Sequence, residues 1–298
     1  MSEPTPPHRG RPLPRLIGWF LLLAAIGLAG LAFKEYLIYR VGNRTYNTIS
    51  KAVILSTPVP HLPPPEVSIS TSSVDAPPAL VPTPQAPMAP LDSDPTLPPN
   101  PTATTQPDQL IVIDFPALHD INPDANYWIY SAGTPINYPM VYAKDNQHYL
   151  THLIDGNYNK LGSLFIDARN ASDFSDDNTL IYGHNMDDGS MFSSLLNYRN
   201  PSYFQEHPFI YILTPSVDYR AELLGGFELE PDEVGLLQFN FASSRDKQAF
   251  YLETKLRSSF ESPVEVDVND RFVSFLSCLA NSAEVRYAVI ARLVPLTP

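Results

Sequence analysis

The chain has 298 residues and a formal net charge of −13, from 19 basic and 32 acidic side chains. Residues 109–298 carry 12 basic against 25 acidic residues, a surface that repels phosphate backbones and argues against a nucleic-acid partner. With one cysteine in the chain, an intramolecular disulfide and a cysteine-rich zinc site are excluded, and neither a metal nor another cofactor is expected.

In chain order, residues 1–15 form a short tail with Arg9, Arg11 and Arg15, followed by an uncharged apolar stretch over 16–33. Its 18 residues approach the ~20 that cross a bilayer as a helix, and the preceding arginines favour an N-terminus kept in the cytoplasm. The length favours a retained anchor over a cleaved signal peptide, whose apolar core runs to about 7–15 residues. Residues 34–57, with Tyr36, Leu37, Ile38, Val53, Ile54 and Leu55, are expected to continue as a juxtamembrane helix.

Between 58 and 108 the composition changes to Pro, Ser, Thr and Ala, with about half of the chain's 32 prolines. Such a segment cannot bury a core and reads as a disordered, extended linker or stalk, on the order of 150 Å long if fully stretched. A spacer that lifts a catalytic domain from the membrane is the expected use.

Residues 109–298 read as one mainly β domain. Strands are expected over 163–167, 179–182, 209–213, 219–224, 271–277 and 286–294, separated by Asn, Asp, Gly and Pro turns, a pattern that suits a barrel. Helices are expected over 191–198 and 246–260. The second would place Ala249, Leu252, Leu256 and Phe260 on one face, with Ser243 and Asp246 as its capping box. The acidic clusters Asp173, Asp176, Asp177 and Asp187-Asp188 lack the ordered spacing of a calcium loop and read as solvated turns.

Chemistry concentrates in three residues: His184 in Tyr182-Gly183-His184-Asn185-Met186, the lone Cys278, and Arg286 eight positions beyond it. A thiolate can attack an amide carbonyl, an imidazole can protonate the departing amine, and a guanidinium can meet the charge that develops on the carbonyl oxygen. The turn at 279–284 would return Arg286 beside Cys278. A single cysteine is usually an inert small apolar residue, so composition alone leaves the role open.

The ordered blocks 162–170, 178–186 and 189–192, with Trp128-Ile129 and Tyr138-Pro139 upstream and the Cys278 to Arg286 spacing downstream, resemble the sortase family in its class B branch. The resemblance runs from about Ile111 to the C-terminus. It departs at the nucleophile, where Ser274-Phe275-Leu276-Ser277-Cys278 replaces the usual threonine, leucine, any residue, threonine, cysteine. That departure leaves the peptide preference open.

The resemblance implies a closed sortase-type β-barrel of about eight strands with flanking helices, the longer of which walls the substrate groove. It implies a cysteine transpeptidase with His184, Cys278 and Arg286 as catalytic residues. The enzyme would cleave a C-terminal sorting motif of secreted proteins, hold the acyl part on Cys278 and pass it to an amine of the cell wall. A membrane-held protein with an extracellular catalytic domain follows. The same residues leave open a pilus-type polymerase using a lysine amine, a mainly hydrolytic cysteine peptidase, and an inactive module that binds sorting peptides.

Overall fold

In the computed structural model the described residues are 13–56, 111–230, 233, 237–279 and 286–296; at 13–16, 278, 279 and 286 the backbone alone is described. The chain divides into two compact units, Met1–Leu55 with Val112–Pro298, and Ser56–Ile111. The linker expected over 58–108 lies outside the described residues.

Helix α1 (Leu13–Val53) takes the apolar stretch and most of the juxtamembrane segment into one 41-residue element, but the helix expected over 34–57 stops at Val53, because Ile54 and Leu55 enter a strand. Its first half is apolar on all sides, with Ile17, Trp19, Phe20, Leu23 and Leu28 exposed. Among the described residues it is the one helix long and apolar enough to cross a membrane. Its second half is different, because Tyr46, Ile49 and Val53 are buried against the folded unit. Strand β1 (Ile54–Ser56) pairs with β2 (Val112–Ile113), and the Asp114 N–H donates to the Val53 carbonyl at 2.8 Å. The chain therefore leaves after β1 and returns at its side, while α1 alone carries it from the apolar stretch to the barrel.

Helix α2 (Phe115–Ile121) was not legible in the apolar pattern. It starts where the Asp114 carboxylate accepts from Ala117 N–H at 3.0 Å, with Pro116 in the first turn, where its missing N–H costs nothing. The remaining strands are β3 (Ala125–Tyr130), β4 (Asn137–Tyr142), β5 (Leu164–Ile166), β6 (Asn178–Asn185), β7 (Phe209–Leu213), β8 (Tyr219–Leu229), β9 (Arg271–Leu279) and β10 (Arg286–Pro295). They close in the order β10-β8-β7-β3-β4-β5-β6-β9, the eight-stranded barrel that was expected. Closure leaves the barrel without an open sheet edge. The β4–β5 and β6–β9 pairs are parallel and the other named pairs antiparallel.

Two helical expectations are corrected. Residues 191–198 do not form an α-helix; Ser193–Arg199 is a 3-10 turn, followed by α3 (Pro201–Glu206) with Asn200 as its cap. Helix α4 (Ser244–Arg257) is capped at Ser243 as read, the hydroxyl accepting from Asp246 N–H at 3.2 Å, but it ends at Arg257 and not at the expected Phe260. Its buried side, however, is Lys247, Tyr251 and Thr254, while Leu252 and Leu256 are 56% and 87% exposed. Lys247 tolerates burial because its ammonium donates to Asp177 at 2.8 Å and to the Val268 carbonyl at 3.1 Å. A satisfied lysine and a tyrosine thus override the apolar periodicity.

Candidate active site

Strand β6 carries His184 and runs parallel to β9, with His184 the register partner of Cys278 and Asn185 that of Leu279. Strand β10 lies on the other side of β9, antiparallel, with Tyr287 opposite Ser277. At that end of the two strands Cys278 follows Ser277 and Arg286 precedes Tyr287. The three expected residues therefore occupy one end of three adjacent strands.

Local chemistry fixes that alignment. The Ser277 hydroxyl accepts from Tyr287 N–H and donates to the Tyr287 carbonyl, both at 3.1 Å, so it ties β9 to β10 one residue before Cys278 and one after Arg286. Ser274, buried lower on β9, donates to Asn178 at 2.9 Å at the start of β6. Both serines of the departed motif therefore serve the strand register.

The residues around His184 explain the motif. A Cβ on Gly183 would lie 2.2 Å from Leu164 Cδ2 and 2.7 Å from the Phe192 ring, so only glycine lets these buried side chains close over β6. After Met186 the chain turns back through Gly189, whose φ of +81° favours glycine. The turn is closed by Ser193, which donates to the Met186 carbonyl at 2.8 Å, and by Phe192 N–H on the His184 carbonyl at 2.9 Å.

The His184 side chain is 6% exposed. Its Nε2 donates to the Leu150 carbonyl at 2.6 Å, which places the ring proton there and leaves Nδ1 with its lone pair. Nδ1 is buried and has no hydrogen-bond partner among the described residues. Leu150 could not be found from the sequence, because a backbone carbonyl leaves no residue signature.

Behind β6, Asp167 is fully buried and accepts from Tyr182 at 3.0 Å and from Arg169 Nη2 at 2.8 Å. Burial opposes its charge, but the Arg169 guanidinium and N–H and the Tyr182 hydroxyl outweigh it, holding the carboxyl below the usual range. The acidic clusters are more engaged than solvated turns. Asp176 accepts from Asn170 and Ala171, both at 2.7 Å, and Asp188 accepts from Asn43 of α1 at 2.7 Å. Among the described residues no group of three or more His, Cys, Asp or Glu side chains could hold a metal ion.

A cleft of about 230 Å³ lies between α4 and β8, with Phe227, Leu229, Leu237, Phe241 and Phe250 on its apolar side and Gln238, Asp246, Glu253, Thr254 and Arg257 on its polar side. Leu229 is the β8 register partner of Arg286.

No family model matches the chain. The chain is 33% identical to sortase B of Listeria monocytogenes over 161 residues, 54% of its length and 65% of that protein's. It is 30% identical to sortase B of Staphylococcus aureus over 182 residues, 60% of its length and 74% of that protein's. The structure of a Staphylococcus aureus sortase B-substrate complex superposes with a TM-score of 0.58 at 29% identity, covering 61% of this chain and 85% of that one. With this barrel, this strand order and these relatives, the chain belongs to class B of the sortases, a family of cysteine transpeptidases.

Proposed function

We propose that the protein is a membrane-anchored sortase that cleaves a C-terminal sorting motif of secreted proteins and transfers the acyl part to an amine of the cell wall. The observation that carries this reading is the register pairing of His184 with Cys278, together with a buried His184 Nδ1 that has no partner among the described residues. The Cys278 thiol passes its proton to His184 Nδ1, and the resulting thiolate attacks the scissile carbonyl, forming C–S and placing the electron pair on oxygen. Arg286 meets that oxyanion. The tetrahedral adduct collapses as His184 gives its proton to the departing amine and C–N breaks. An incoming amine then attacks the thioester, its proton passes to His184, and Cys278 leaves as thiolate. The Leu150 carbonyl keeps Nε2 protonated throughout, so Nδ1 is the atom that exchanges the proton.

The apolar first half of α1 is assigned as a single-pass anchor, with Arg9, Arg11 and Arg15 on the cytoplasmic side and the barrel outside. The α4–β8 cleft beside the Arg286 register position is assigned to apolar side chains of the sorting peptide.

The test is a sorting-peptide library offered to the full-length protein in detergent micelles, with adducts on Cys278 read by mass spectrometry and products compared with and without an added amine. Parent protein should form a thioester that is consumed faster with amine present. Cys278→Ala should abolish adduct and product together, and folded His184→Ala should form no adduct. Substantial turnover by Cys278→Ala would sink the mechanism, and identical products with and without amine would make the protein a peptidase.

A further inference from the structure

Ile38, Gly42, Tyr46, Ile49 and Val53 recur at helical spacing on one face of α1, and that face lies on the barrel. The Ile38 carbonyl accepts from Asn159 Nδ2 at 3.1 Å. Gly42 permits the approach, since a Cβ there would stand 2.7 Å from Leu161 Cδ2. The Tyr46 hydroxyl donates to the Gly162 carbonyl at 2.5 Å and lies 3.0 Å from Ser163 Oγ.

Gly162 in turn rests on the carbonyl that holds the histidine. Its φ is +58°, and a Cβ on it would lie 2.5 Å from the Tyr149 oxygen and 2.7 Å from the Leu150 oxygen. The next N–H, of Ser163, donates to the Tyr149 carbonyl at 2.8 Å, and Ser163 Oγ donates to the His152 carbonyl at 2.9 Å. One layer of backbone therefore separates the Tyr46 hydroxyl from the Leu150 carbonyl and His184 Nε2. A second contact reaches the turn after β6, where Asn43 donates to Asp188 at 2.7 Å, four residues past His184.

Resting on the catalytic reading of His184, we propose that Tyr46 is a positioning residue for that imidazole, so that the helix continuing from the membrane anchor is part of the catalytic apparatus. Tyr46 pins Gly162, Gly162 fixes the 149–150 carbonyls, and Leu150 selects the Nε2-protonated ring with Nδ1 left open. Without the hydroxyl the 149–163 backbone loosens, and the ring loses its fixed tautomer and angle before it loses its burial.

The experiment compares full-length parent, Tyr46→Phe, Ile49→Ala and His184→Ala in detergent micelles. It reads acyl-enzyme formation against pH, thermal midpoint, and the 15N imidazole signal assigned to His184 by its absence in His184→Ala. Tyr46→Phe should slow acylation on the order of 10- to 100-fold, displace the pH profile and broaden or shift the Nε2–H signal. Ile49→Ala, which removes packing on the same face without touching Gly162, should lower the midpoint while keeping the parental profile and signal. A parental profile and signal in Tyr46→Phe would overturn the proposal, as would the same displacement in Ile49→Ala. If His184→Ala acylates normally, the catalytic reading itself fails. If it is inactive while Tyr46→Phe behaves as parent, only the positioning role fails.

Discussion

Gly183→Ala tests whether the residue before the histidine is glycine for packing. The added methyl would sit 2.2 Å from Leu164 Cδ2 and 2.7–2.8 Å from two Phe192 ring atoms, more than an ångström inside ordinary contact on the leucine side. Neither neighbour can swing to solvent, because both are fully buried, and Phe192 also closes the turn through its N–H on the His184 carbonyl. Overpacking of this kind costs about 1–3 kcal/mol. In a domain of this size each kcal/mol moves the melting midpoint by roughly 2–4 °C, so the expected loss is about 2–12 °C. Calorimetry or urea titration of the full-length variant in detergent measures it. Leu164→Val shortens the side chain that clashes and should recover part of the loss in the double variant, though it costs stability by itself. A Gly183→Ala protein as stable as the parent, or losses that simply add in the double variant, would refute the close-packing account.

The two arginines of β10 should separate rate from stability. Arg286→Ala and Arg286→Lys should slow acylation about 10²- to 10³-fold, since lysine keeps the charge without the planar fork. Arg292→Lys should leave acylation of the folded enzyme near parental but lower stability, because Arg292 Nε and Nη1 donate to Glu222 at 3.0 Å and to the Glu265 carbonyl at 2.7 Å; a larger rate loss at Arg292, or none at Arg286, would mean the wrong arginine has been assigned. Asp167 should shape the acid limb of stability. Its folded pKa is depressed, so its contribution is complete above the unfolded value near ~3.9 and is lost as pH falls through the lower folded value. Asp167→Asn should therefore be less stable at neutral pH and lose less on acidification, and parallel acid limbs for the two proteins would count against it.

Much of this fold was legible because barrel strands and catalytic strings use side chains as their signal. Phe209–Leu213 forms the strand read from its apolar run, and β9 and β10 start at the expected Arg271 and Arg286. What escaped was set by context. β3 and β4 mix Trp, Tyr, Asn and Pro, so neither shows clean alternation, although Trp128 is buried with its indole N–H on Asn137 at 2.7 Å. The face of α4 misled because Lys247 is apolar for most of its length and its ammonium found Asp177, seventy positions away in the chain.

The candidate site shows the same division. His184, Cys278 and Arg286 stand out as candidates in the sequence, because a thiol, an imidazole and a guanidinium each have one residue type. The parts that align them have no such signature. Ser277 works through the backbone of Tyr287, Leu150 through its own carbonyl, and Gly162 through the space left by a missing Cβ. These are constraints on main-chain atoms, which substitution reaches only indirectly. The threonine-to-serine change before Cys278 is tolerable for that reason: the hydroxyl that holds β9 to Tyr287 is kept, and the methyl that is lost takes no part in the bond. Leu276 stands elsewhere in this logic. It stands where the family pattern takes any residue, and it is fully buried, paired with Tyr182 on one side and Ala288 on the other, so it packs β9 between β6 and β10.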